Sequence, residues 1–71
     1  MHTLSQLLMG RDEFEALVLC DRDGLTQEQA GKSMGVSRGT VQRLVSEARR
    51  KVARALAEEK ALVVRTEEPA G

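Results

Sequence analysis

The sequence predicts an all-α domain: a bundle of three to four helices containing a helix-turn-helix, its last and longest member serving as a recognition helix. Three observations carry this. Apolar residues recur at three- and four-residue spacings, and period-two alternation holds over no useful length. A capping residue precedes most of these stretches, and Gly10, Gly24 and Gly35 follow them. Phe14 is the sole aromatic residue, and the β-branched residues are scattered.

The elements follow in chain order. Residues 1–10 are expected as a short N-terminal helix or arm: Thr3 with Gln6 resembles a capping box, Leu4, Leu7 and Leu8 give an apolar side, and Gly10 is the stop. The core domain is expected over 11–57, with helices at about 12–22, 26–34 and 37–57. In the first, Asp12 and Glu15 form a capping box, and Phe14, Leu17, Val18 and Leu25 keep helical spacing. Ala16, Leu19 and Cys20 widen that stripe, and Gly24 ends the helix. Thr26 caps the second with Gln29 three residues on, and Ala30 and Met34 share one side. Ser37 caps the third, whose stripe runs Val41, Leu44, Val45, Ala48, Val52, Ala55, Leu56 over roughly 30 Å of helix. Glu58 and Glu59 oppose the negative end of that helix, so fraying is expected there. Residues 58–71 are expected as a partly disordered tail in which Ala61–Arg65 forms either a last helical turn or a short strand, the strand open to pairing with a second copy.

Seventy-one residues make one domain with a modest core. Cys20 is the only cysteine, which excludes an internal disulfide, and with His2 the only histidine a Cys/His zinc site is all but excluded. No cofactor and no metal are expected. Acids in a first helical turn need no catalytic explanation, and no nucleophile with a base, metal cluster or phosphate loop is present, so the chain is not expected to be an enzyme. No apolar run is long enough to span a bilayer and no signal peptide is read, so a cytoplasmic protein is expected.

The formal net charge is zero. Its distribution is more informative. Asp12, Glu13, Glu15, Asp21, Asp23 and Glu28 face a lone Arg22, whereas Arg38, Arg43, Arg49, Arg50, Lys51 and Arg54 face Glu47 alone. Acid and base lie on different helices, so a basic element on a neutral protein is available to phosphate.

The informative stretch is Gly24–Leu44. Gly35-Val36-Ser37 joins two capped helices by so short a turn that they must cross steeply. Gly31 supplies the small residue where the backbones meet, and Gly35 takes the left-handed turn position. Val36, Val41 and Leu44 are expected to plug the angle from inside. This is a helix-turn-helix, and the exposed side of its second helix carries Arg38, Gly39, Gln42, Arg43 and Ser46. Arginine and glutamine read guanine and adenine edges bidentately, so these five form the expected base-reading surface. Ser37, Thr40, Arg49 and Arg50, with Arg54 beyond them, are placed for phosphates, and Gln27 and Lys32 for the neighbouring strand. The competing reading is a solvated helix face decorated by Glu47 paired with Arg43 and Lys51.

The segments DEFEAL (Asp12–Leu17), GLTQEQAGKSMGVSRGT (Gly24–Thr40), ARRKVARAL (Ala48–Leu56) and KAL (Lys60–Leu62) resemble region 4 of sigma-70-type initiation factors and the output domains of many response regulators. They are closer still to a small prokaryotic family of predicted DNA-binding proteins with a sigma-70 region 4-like helix-turn-helix, within the winged-helix-like DNA-binding superfamily. Gly39 stands where that family often has a larger polar residue. The resemblance implies a tri- or tetrahelical fold, DNA binding and a transcriptional role.

The expected function is sequence-specific binding of double-stranded DNA as a transcriptional regulator. One such motif reads a half-site, so a homodimer is expected, with Ala61–Arg65 as its candidate contact. The alternative is a sigma-like interaction module that docks on RNA polymerase or a sigma antagonist without reading bases. No membrane partner is expected.

Overall fold

The computed structural model describes residues 4–65. The expectations for His2, the Thr3 cap and the 66–71 segment lie outside these. In chain order the elements are β1 (Gln6–Met9), α1 (Arg11–Leu17) running into a π-helical turn (Val18–Arg22), α2 (Gln27–Met34), α3 (Arg38–Ala57) and β2 (Ala61–Val64). The fold is mostly helical, and a two-stranded sheet corrects the all-α expectation.

That sheet is the main departure. Gln6–Met9, expected within a short helix or arm, is a strand, paired in parallel with Ala61–Val64 in the register Gln6↔Ala61 to Met9↔Val64. A run of four apolar or neutral residues carries no periodicity that separates helix from strand, so pairing with a distant segment decides. Ala61–Val64 is therefore a strand, and its described partner is this chain's own N-terminal segment rather than a second copy.

The first helix starts one residue before Asp12. The expected capping box of Asp12 with Glu15 is replaced by a contact two residues earlier: the Gly10 N–H donates to Glu13 Oε1 at 2.7 Å. The last turn widens into π geometry, with Asp23 N–H donating to the Val18 carbonyl. Its buried side is centred on Ala16, with Leu19 and Cys20 packed on the core, while Phe14 is 43% exposed. Phe14, expected on the apolar stripe, thus lies at the rim of the buried face.

Both later caps form as expected. Thr26 accepts from Gln29 N–H while the Gln29 side chain accepts from Thr26 N–H. Ser37 Oγ accepts from Thr40 N–H and Gly35 is left-handed at φ 75°. Val41, Leu44, Val45, Ala48 and Ala55 of α3 are buried, and the core joins Ala16 and Ala30 to Val41, Leu44 and Val45. Two apolar residues depart from expectation. Leu56, about 100° around the helix from Ala55, is 76% exposed. Val36, expected as a plug between α2 and α3, is exposed, whereas Val41 and Leu44 are buried beside Ala30. The end of α3 does not fray. Glu59 is left-handed at φ 54°, Lys60 N–H closes onto the Ala55 carbonyl, and Glu58 holds Arg54 and Lys60.

Lys51 Nζ meets Glu13 Oε1 at 2.7 Å, tying α3 to α1 in a part-buried contact. Burial raises the Glu13 pKa, but the hydrogen bonds from Lys51 and from the Gly10 amide outweigh it and hold the carboxyl below its usual value. Its stabilising contribution is therefore present above the ordinary glutamate range and is lost as pH falls through the depressed folded pKa. Glu13→Gln is expected to destabilise by about 1–2 kcal/mol at neutral pH. The gap from wild type should close on acidification, read as denaturant midpoints across pH. A gap independent of pH would mean the loss is packing rather than charge.

Candidate nucleic-acid interface

The turn between α2 and α3 is built on Gly31. Its carbonyl accepts the N–H groups of Gly35 and Val36, so the chain folds back over the end of α2. A Cβ on Gly31 would stand 2.7 Å from the Val36 carbonyl oxygen, closer than side chains pack. The close approach expected at this position is present, made by the turn backbone itself.

This turn sets the start of α3. Arg38, Gly39, Gln42, Arg43 and Ser46 are all exposed, and a Cβ on Gly39 would meet nothing within 4 Å. Ser37 is exposed and Thr40 half-buried, their hydroxyls 3.0 Å apart. Across the turn, the start of α2 and Arg38 frame an open cleft of about 310 Å³ lined by Thr26, Gln27, Glu28 and Arg38. Sequence reasoning placed Gln27 and Arg38 at the site but passed over Glu28, which sits 4.0 Å from Lys32. The i, i+4 spacing of Glu28 and Lys32 was the available signal.

The basic residues of α3 divide into two groups. Arg38 and Arg43 have no acid partner among the described residues. The rest are engaged. Arg49 grips Asp21 through two hydrogen bonds at 2.9 and 2.7 Å, Arg50 pairs with Glu47, Lys51 with Glu13 and Arg54 with Glu58. The Arg49 hydrogen bonds are the main cause that lowers the Asp21 pKa, and Asp21 in turn raises that of Arg49. Glu47 therefore pairs with Arg50, not with the Arg43 and Lys51 expected from spacing. The acids of the first helix do not form a separate pole either: two of them reach α3, and the unpaired basic charge of α3 concentrates at its N-terminal half.

A second surface hollow, about 290 Å³, is lined by Arg11, Phe14, Glu15, Val18, Leu19, Arg22 and Asp23. Among the described residues no helix is long and apolar enough to cross a membrane.

The family model described as "Protein of unknown function DUF134" matches residues 2–69. A UPF0251 protein of Pyrococcus furiosus is 55% identical over 58 residues, covering 82% of this chain and 54% of that protein. One from Aeromonas salmonicida is 44% identical over 69 residues, covering 97% of this chain and 68% of the relative. One from Vibrio parahaemolyticus is 48% identical over 67 residues, covering 94% and 70%. The chain spans about half the length of the Pyrococcus relatives it matches. No solved structure matches.

Proposed function

The chain belongs to the DUF134 family, and for this member we propose sequence-specific binding of double-stranded DNA through a helix-turn-helix of the sigma-70 region 4-like kind, in the service of transcriptional regulation. One observation carries the reading: Arg38 and Arg43, the two α3 cations without an acid partner among the described residues, flank Gln42 on the exposed first turns of α3, just past a tight glycine-bearing turn. That start is where a recognition helix enters the major groove, and arginine and glutamine are side chains that pair with a base edge through two hydrogen bonds, arginine donating both to guanine. Ser37, Thr40, Gln27 and Lys32 border the same surface and suit phosphate oxygens. Arg49 and Arg50 are exposed, but each must release an acid before it holds a phosphate. No cofactor enters this reading.

The test is selection from a random duplex library with the purified chain. Enrichment of a site with guanine and adenine in adjacent major-groove positions is expected, with a palindrome if two copies bind. Recovery of no sequence beyond background would overturn the reading. The second reading, docking on RNA polymerase or a sigma antagonist, is favoured by the hollow around Phe14 and Val18. Capture of polymerase by a chain that shifts no duplex would support it instead.

A further inference from the structure

The outer edge of β1 is short and carries no charge, proline or bulge. The Ala61 N–H donates to the Ser5 carbonyl and the Arg65 N–H to the Met9 carbonyl. By strand alternation, Ser5, Leu7 and Met9 turn their backbone groups to β2, while Gln6 and Leu8 turn theirs to the outer edge of β1. Among the described residues no backbone group pairs with that edge. The same alternation puts Leu4, Gln6 and Leu8 on one face, with Leu4 56% and Leu8 53% exposed, while Met9 on the opposite face is fully buried. Neither strand contains a charge, a proline or a bulge. Of the features that blunt an open edge in monomers, β1 has only its short length of four residues.

We infer that β1 pairs edge to edge with β1 of a second copy of this chain. The strands run antiparallel about a two-fold axis at Leu7, giving a four-stranded sheet in the order β2-β1-β1-β2. In this register Gln6 of each copy faces Leu8 of the other, and each such pair exchanges two backbone hydrogen bonds. The outward groups of both strands are then satisfied, and Leu4 and Leu8 of two copies form one apolar face. An uncharged edge offers nothing to select an acidic or basic partner, whereas a two-fold contact needs only self-complementarity.

The placement also suits two reading heads, a purpose that rests on the proposed DNA binding. About 20 Å of α3 separate Arg43 from the helix end that leads into the sheet. Copies joined at their sheets therefore hold their reading faces tens of ångströms apart, the scale of the ~34 Å repeat between successive major grooves.

Sedimentation equilibrium of the chain without DNA, from micromolar to millimolar concentration, tests the pairing. A mass twice that of the monomer is expected, with slowed amide exchange at Gln6 and Leu8 in the associated state. Gln6→Pro removes an outward N–H and leaves the β1–β2 hydrogen bonds in place. Leu8→Lys puts charge on the joined face at a site already half exposed. Both variants should sediment as monomers with wild-type helicity by circular dichroism, and Leu8→Lys carries the test alone if the proline variant unfolds. A wild-type monomer throughout this range, or a dimer that survives Leu8→Lys, overturns the inference. Failure of DNA binding is separately visible: a dimer that binds no duplex would sink the functional reading and leave the pairing standing.

Discussion

Gly31→Ala is expected to destabilise the protein by about 1–2 kcal/mol, even though alanine is the better helix former by ~1 kcal/mol. The new methyl would meet the Val36 carbonyl oxygen at 2.7 Å, and that oxygen belongs to the backbone. It has no rotamer to give. Relief requires moving the turn, and the turn is fixed because the Gly35 and Val36 amides both donate to the Gly31 carbonyl. Gly31→Val should cost more than alanine. Gly39→Ala is the control: it lies in the first turn of α3 with nothing within 4 Å of the added carbon, so stability should hold or rise slightly. Denaturant midpoints with unchanged slope would read the difference, and for a domain of this size about 1 kcal/mol moves Tm by roughly 4–8 °C. Equal stability of Gly31→Ala and wild type would mean that the α2–α3 crossing is looser than described.

Arg43→Ala is expected to weaken binding to the selected duplex by about 1–3 kcal/mol, roughly 5- to 150-fold, and to relax preference at a single base position. Arg38→Ala should act alike at another position. The exposed Arg43 side chain meets no acid among the described residues, so its removal should not disturb the fold, and helicity should be unchanged. Arg49→Ala with Arg50→Ala should weaken all duplexes alike and flatten the salt dependence. Its effect should be the smaller, because Arg49 is already held by Asp21 and Arg50 by Glu47. Anisotropy titrations on cognate and scrambled duplexes separate these outcomes. Equal losses on both duplexes for Arg43→Ala would move Arg43 from the bases to the phosphates.

The part of the candidate site that was legible is the part built from near neighbours. Thr26 with Gln29, Ser37 with Thr40 and left-handed Gly35 are contacts within a few residues, so residue type and spacing suffice to place them. The exposed row from Arg38 to Ser46 follows from the helical period once the apolar row is known. Arg49 was different. Its exposure was readable, but its bond to Asp21 spans 28 positions and depends on where the π-helical turn ends against α3. The stripe of the first helix was read through Phe14, Leu17 and Val18 and widened by Ala16, Leu19 and Cys20; Ala16 is its fully buried member, and Phe14 is 43% exposed.

The sequence by itself determined where the two later helices start and stop, that the last is long, and which side of its first turns carries arginine and glutamine. Local hydrogen bonding and side-chain periodicity decide these, and both act over a few residues. Only the tertiary structure decided that Gln6–Met9 and Ala61–Val64 are strands and that four of the six α3 cations are engaged by acids. Each strand completes its hydrogen bonding with a segment from the other end of the chain. Two of the ion pairs, those to Asp21 and Glu13, depend on how α1 lies against α3, a geometry that no local spacing encodes.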